Sequence, residues 1–209
     1  MSSCKSSRCG TLFYLPNIVD YSRIVVLIVA VAVFQSRPLM AVFCFVYVCM
    51  ADCFDGWLAR SLSQESVLGA TLDMVIDRCF DALLCMILGI IYPKYAIGFM
   101  FLTFLDISSH WMRHAYYSRK QNSHKNVDED TSLLLGLYYK SRPFLCSLCV
   151  AYEAMLISLY VYRMVDWLPI TRLALLIACF SSPLTILKIY INGVQAVDAI
   201  LRLSKEPCC

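Results

Sequence analysis

The stretch 52-DCFDGWLARSLSQESVLGATLDMVID-77 sets four aspartates, two glycines and an arginine at the end of an apolar run. Asp52 and Asp55 are three residues apart, so on a helix both project from one face. Asp73 and Asp77 are four apart and do the same on a following helix, with the more polar residues 61–68 turning the chain back between them. Gly56, Ala59 and Gly69 keep the facing surfaces small, which lets something bulky approach backbone. Four unpaired carboxylates in a low-dielectric setting are costly through burial and mutual repulsion. Arg60 and Arg78 cannot offset all four, but divalent cations can. Oxygen-only ligands favour Mg2+ or Mn2+, and two such ions sharing carboxylates form a clamp for phosphoryl oxygens. Cations held near headgroup depth point to a substrate with a lipid tail and a phosphate head. Isolated intramembrane aspartates also serve ion pathways or pair with arginines. An ion pathway leaves the spacing of Gly56, Ala59 and Gly69 unexplained. Asp81 extends the same face one turn further and reads as a supporting or packing residue.

The elements that must position these residues are membrane helices. The chain has 209 residues, 60% hydrophobic and only 16% charged, with a mean hydropathy of +0.66. Apolar runs cover 18–34, 39–55, 68–92, 95–116, 144–162 and 168–191. As helices these approach the roughly 20 residues that cross a bilayer. The expected fold class is an all-α polytopic integral membrane protein with six transmembrane helices, residues 1–209 forming one membrane-embedded catalytic domain. Pro38, Pro93, Pro143 and Pro169 fall at or near span ends, where a missing backbone donor costs least. Residues 1–17 have no small-residue cleavage site after a short apolar core, so the first span reads as a retained helix.

Charge placement sets the orientation. Lys5, Arg8, Arg60, the basic residues of the 113–142 segment, Arg202 and Lys205 lie on one side, against Arg37, Lys94, Arg163 and Arg172 on the other. The positive-inside rule places both termini, the 113–142 loop and the acidic motif in the cytosol. The net charge of +3 itself says little, and no nucleic-acid partner is expected. Most of the twelve cysteines sit in apolar runs as small hydrophobes, Cys146 and Cys149 included; Cys4, Cys9, Cys208 and Cys209 read either as lipidation sites or as unmodified tail residues, the terminal Cys-Cys not being a CaaX box.

The motif matches D-x2-D-G-x2-A-R-x8-G-x3-D-x3-D at every fixed position and so resembles the signature of the CDP-alcohol phosphatidyltransferase family. The blocks 15-LPNIVDYSR-23, 105-LDISSHWMRH-114, Ser123-His124-Lys125 and 139-YKSRP-143 are similar to the eukaryotic phosphatidylinositol synthases of that family, and the resemblance covers roughly 14–195. It implies a six-span enzyme with two Mg2+ or Mn2+ ions. That enzyme would take CDP-diacylglycerol and myo-inositol from the lipid bilayer and the cytosol, and release CMP. It implies that Asp52, Asp55, Asp73 and Asp77 hold the metals and that Asp77 is also the general base. Gly56, Ala59 and Gly69 would let cytidine lie against backbone, Arg60 would meet phosphate, and Asn17 would line the same pocket. For the acceptor, Asp106 and His110 share one face of the fourth span; the other reading is a helix–helix hydrogen bond. Arg142, just before Pro143, would orient polyol or phosphate, or anchor at headgroup level. Trp57 and Trp111 read as interface anchors. The resemblance also implies an endoplasmic reticulum membrane, with Golgi or mitochondrion as alternatives, and a homodimer. Within the family the competing activities are phosphatidylglycerophosphate synthase and choline/ethanolamine phosphotransferase; outside it, an ion transporter.

Overall fold

The structure, a computed structural model, describes residues 10–121 and 141–204. Among the described residues there are six long helices: α1 (Leu15–Val33), α2 (Pro38–Ser61), α3 (Val67–Ile91), α4 (Ala96–Gln121), α5 (Arg142–Met164) and α6 (Leu168–Ser204). The sequence dictates several of their ends. Pro16 and Pro38 sit in the first turns of α1 and α2, where the missing N–H is an orphan anyway. Ser66 Oγ caps α3 by accepting from Gly69 N–H at 3.0 Å. Ser63 takes the left-handed conformation (φ 52°) that reverses the chain after α2.

The chain is an all-α, multi-pass membrane protein. Four helices, α1, α2, α5 and α6, are long and apolar enough to cross a membrane. The other two expected spans, α3 and α4, are as long but carry charged residues: Asp73, Asp77, Arg78 and Asp81 on α3, and Asp106 and Arg113 on α4. Large apolar side chains face outward, among them Ile28, Phe43, Ile97, Phe104 and Phe180. An exposed apolar surface of that extent suits lipid rather than water. Three helices outrun their expected spans, α2 by continuing past 55 to Ser61. α6 continues past 191 to Ser204, where Arg202 and Asp198 pair at 2.7 Å one turn apart, and α4 continues past 116 into the basic segment. His124 and Lys125 lie outside the described residues.

By contacts, the chain divides into two compact units, Met1–Leu84 with Met164–Asp166, and Cys85–Arg163 with Trp167–Cys209. In the first, α1 packs along α2, and the fully buried Ala30 and Ala41 allow close approach. Phe45 of α2 meets Phe80 of α3 with ring centroids 6.2 Å apart. The turn after α2 is fastened back to α1, because Gln64 Oε1 accepts the Leu15 N–H at 2.9 Å.

In the second unit α4 packs along α6, and Leu148 of α5 meets Ile191 of α6 in a fully buried core. Polar groups here bond across helices: Tyr92 Oη donates to the Leu159 carbonyl at 2.9 Å, and Thr185 Oγ1 to the Ala151 carbonyl at 3.3 Å. Pro183 lies inside α6 and lacks the N–H that would bond the Cys179 carbonyl; Ser182 Oγ donates to that carbonyl at 2.9 Å instead.

Candidate active site

Three helices of the first unit converge on one side chain. Arg23 of α1 is 1% exposed, and its guanidinium donates to five carboxylates. Nη1 lies 3.2 Å from Asp20 Oδ1, 3.0 Å from Asp55 Oδ2 and 3.1 Å from Asp73 Oδ1. Nη2 lies 2.9 Å from Asp52 Oδ1 and 2.6 Å from Asp77 Oδ1. The four motif aspartates therefore meet as their spacing requires, two from α2 and two from α3. Asp20 and Arg23 join them from α1, and neither was singled out by the motif. Their signal was present in the sequence: Asn17, Asp20 and Arg23 recur every three residues at the start of an otherwise apolar helix, and all three are buried.

Five carboxylates against one guanidinium leave the site with a formal charge of −4. Such an excess in a membrane protein calls for further cations. The carboxylates are arranged to take them. Asp20, Asp55 and Asp73 form one triad and Asp52, Asp73 and Asp77 a second, each with one oxygen per residue and all three within 4.8 Å of one another. All-oxygen triads sharing a carboxylate are donor sets for hard divalent ions, and two such ions would neutralise the excess.

Beside the triads lies a pocket of about 190 Å3. The structure brings Asn17, Gly56, Ala59, Arg60 and Gly69 together along it with Asp55 and Asp73. Asn17 is almost wholly buried; its Nδ2 donates to the Thr11 carbonyl at 2.7 Å, while Oδ1 has no hydrogen-bond partner. Gly69 is held small by that same atom, since a Cβ there would stand 2.7 Å from Asn17 Oδ1. At Gly56 the nearest atoms are the Arg60 nitrogens at 3.5 and 3.7 Å, an ordinary contact. Gly69→Ala should therefore cost about 1–3 kcal/mol by overpacking. Gly56→Ala should be neutral or stabilising by up to about 1 kcal/mol, as helix propensity dictates. Denaturant titration in micelles would show Gly69→Ala lowering stability and Gly56→Ala leaving it unchanged or raised.

Asp81 is buried and pairs with Arg78 at 3.4 Å. Trp57 and Trp111 are both exposed. In the second unit, Asp106 Oδ1 accepts from Asn192 Nδ2 of α6 at 2.9 Å, and His110 Nδ1 meets the Asp106 carbonyl at 2.8 Å. Asp106 thus makes a helix–helix hydrogen bond. Arg142 opens α5. The motif also left unnoticed a buried polar stripe on α6. Ser181, Thr185, Lys188, Asn192 and Gln195 recur at alternating spacings of four and three, with Lys188 Nζ 4.2 Å over the Tyr152 ring and Gln195 Nε2 3.2 Å from the Ser109 carbonyl. That spacing was the available signal.

Fold and site together define a multi-pass membrane protein with an acidic centre able to hold divalent cations beside a small polar pocket. The chain belongs to the CDP-alcohol phosphatidyltransferase family, whose model matches residues 13–192. It is similar to the CDP-diacylglycerol–inositol 3-phosphatidyltransferase of Candida albicans, at 36% identity over 96% of this chain and 86% of that protein. The human protein of the same name is 32% identical over 89% of each chain. CDP-diacylglycerol–inositol 3-phosphatidyltransferase 1 of Arabidopsis thaliana is 41% identical over 74% of this chain and 68% of its own. No solved structure gives a significant match.

Proposed function

We propose that the chain transfers the phosphatidyl group of CDP-diacylglycerol to a hydroxyl of myo-inositol, giving phosphatidylinositol and CMP. The observation that carries this is the convergence of all four motif aspartates on one point, in a chain similar along most of its length to proteins named for that reaction.

Two Mg2+ or Mn2+ ions held by the Asp20–Asp55–Asp73 and Asp52–Asp73–Asp77 triads would supply fixed positive charge for the phosphoryl oxygens and the departing CMP. The chain's own residues do the rest. Gly56 and Gly69 let the nucleotide approach the helix backbone, Asn17 Oδ1 accepts from a donor on it, and Arg60 meets a phosphate with its planar fork. Asp77 orients the inositol hydroxyl and receives its proton. A carboxylate is too weak a base to ionise an alcohol beforehand, so the proton moves as the new P–O bond forms and the P–O bond to CMP breaks. Transfer is direct, since among the described residues no activated nucleophile stands at the site. Asp106, His110 and Arg142 are assigned to the acceptor side, Asp106 alongside its hydrogen bond to Asn192.

All six helices span the membrane in this reading, with both termini, the 113–142 segment and the site on the cytosolic side, and residues 1–209 act as one catalytic domain. The charges on α3 and α4 are compatible with it, because Asp73 and Asp77 are paired with Arg23, Asp81 with Arg78, and Asp106 is hydrogen-bonded. The endoplasmic reticulum membrane and a homodimer complete the proposal. Labelled myo-inositol supplied to the purified chain with CDP-diacylglycerol and Mn2+ should appear in organic-soluble lipid. Label that stays in the aqueous phase, under conditions where the chain is folded and Mn2+ is bound, would refute the inositol acceptor.

A further inference from the structure

The two terminal nitrogens of Arg23 are distributed over the carboxylates in the same way as the two cation triads. Nη1 is bonded to Asp20, Asp55 and Asp73, which are the whole of one triad. Nη2 is bonded to Asp52 and Asp77, which with Asp73 are the other. We propose that Arg23 is a built-in stand-in for the two divalent cations: its guanidinium occupies the carboxylate oxygens that the cations use, and each ion must take those oxygens from it. The inference rests on the metal reading above and adds a competitor to it.

The physical argument is one of charge and geometry. Five ionised carboxylates brought from three helices to one point repel one another strongly in a low-dielectric site, and a cation among them offsets that repulsion. A guanidinium is suited to the task, being always charged, planar and forked, so that two donor-bearing nitrogens serve two groups of oxygens at once. An ammonium would serve only one. Arg23 is fixed on the same helix as Asp20, one turn away, and its Nε has no partner, so the contacts made by the fork are the whole of its polar anchoring. A side chain held only by the oxygens that the cations need is poised to yield them. The device keeps the acidic centre assembled in the membrane before cations arrive, at the expense of their affinity.

This assigns opposite signs to two measurements that a merely structural arginine would move together. In the full chain purified in micelles, Arg23→Gln should melt below wild type in EDTA, because the carboxylates lose their counter-charge. The same variant should bind Mn2+ more tightly, by about tenfold or more, because the buried competitor is gone. Mn2+ binding is read by electron paramagnetic resonance and melting by circular dichroism, with no turnover needed. Should Arg23→Gln fail to fold, Arg23→Lys decides: it keeps the charge on one nitrogen, so it should fold in EDTA and still bind the first Mn2+ more tightly than wild type. Wild-type binding of Mn2+ with equal or weaker binding in the folded variants overturns the competition and leaves the metal reading standing. Failure of wild type to bind Mn2+ at all overturns both.

Discussion

Asp77→Asn will reduce inositol-dependent CMP release by about a thousandfold or more, the scale of a lost general base. The substitution is nearly isosteric. The side-chain oxygen that accepts from Arg23 Nη2 at 2.6 Å can be kept as an amide oxygen, so the site should remain assembled. What disappears is the proton acceptor and one negative charge of the second triad. Melting temperature should therefore change little while turnover collapses. A variant that retains a tenth or more of wild-type turnover would remove Asp77 from the chemistry and leave it as one carboxylate among five.

Chelation has the second largest expected effect. With EDTA in excess, turnover should fall to background and return on addition of Mg2+ or Mn2+, because the formal charge of −4 around Arg23 repels the phosphates of any nucleotide-activated lipid until it is neutralised. Added cations should also raise the melting temperature, since a ligand that binds only the folded state at about a hundred times its Kd stabilises it by about 2.7 kcal/mol. Full turnover in EDTA would mean that Arg23 alone supplies the positive charge.

The sequence read well where the chemistry is local. Asp52 and Asp55, and Asp73 and Asp77, share helix faces by simple spacing, and the 61–68 segment between them does turn the chain so that both pairs meet at one guanidinium. It read poorly where the partner comes from a distant helix. The three-residue spacing of Asn17, Asp20 and Arg23 marks a polar face at the start of an otherwise apolar helix, but it does not announce the four carboxylates of α2 and α3 that tertiary packing brings to Arg23. The stripe from Ser181 to Gln195 was obscured for a related reason. The hydropathy of α6 is carried by its lipid-facing residues, such as Phe180, Ile186 and Tyr190, and averages over the polar face that Asp106 and Ser109 of α4 engage. Helix ends at 121 and 204 were missed because a hydropathy reading stops where apolar residues thin out. The i,i+4 pair of Asp198 and Arg202 belongs to the helix beyond that point.

The most direct test of the central claim is CMP release by the purified chain from CDP-diacylglycerol, with Mn2+ or Mg2+ and one acceptor at a time: myo-inositol, glycerol 3-phosphate, serine or none. The proposed reaction predicts release only with myo-inositol and metal together, one CMP for each inositol that becomes lipid-bound. Release with glycerol 3-phosphate or serine in its place, or equal release with no acceptor, would contradict it.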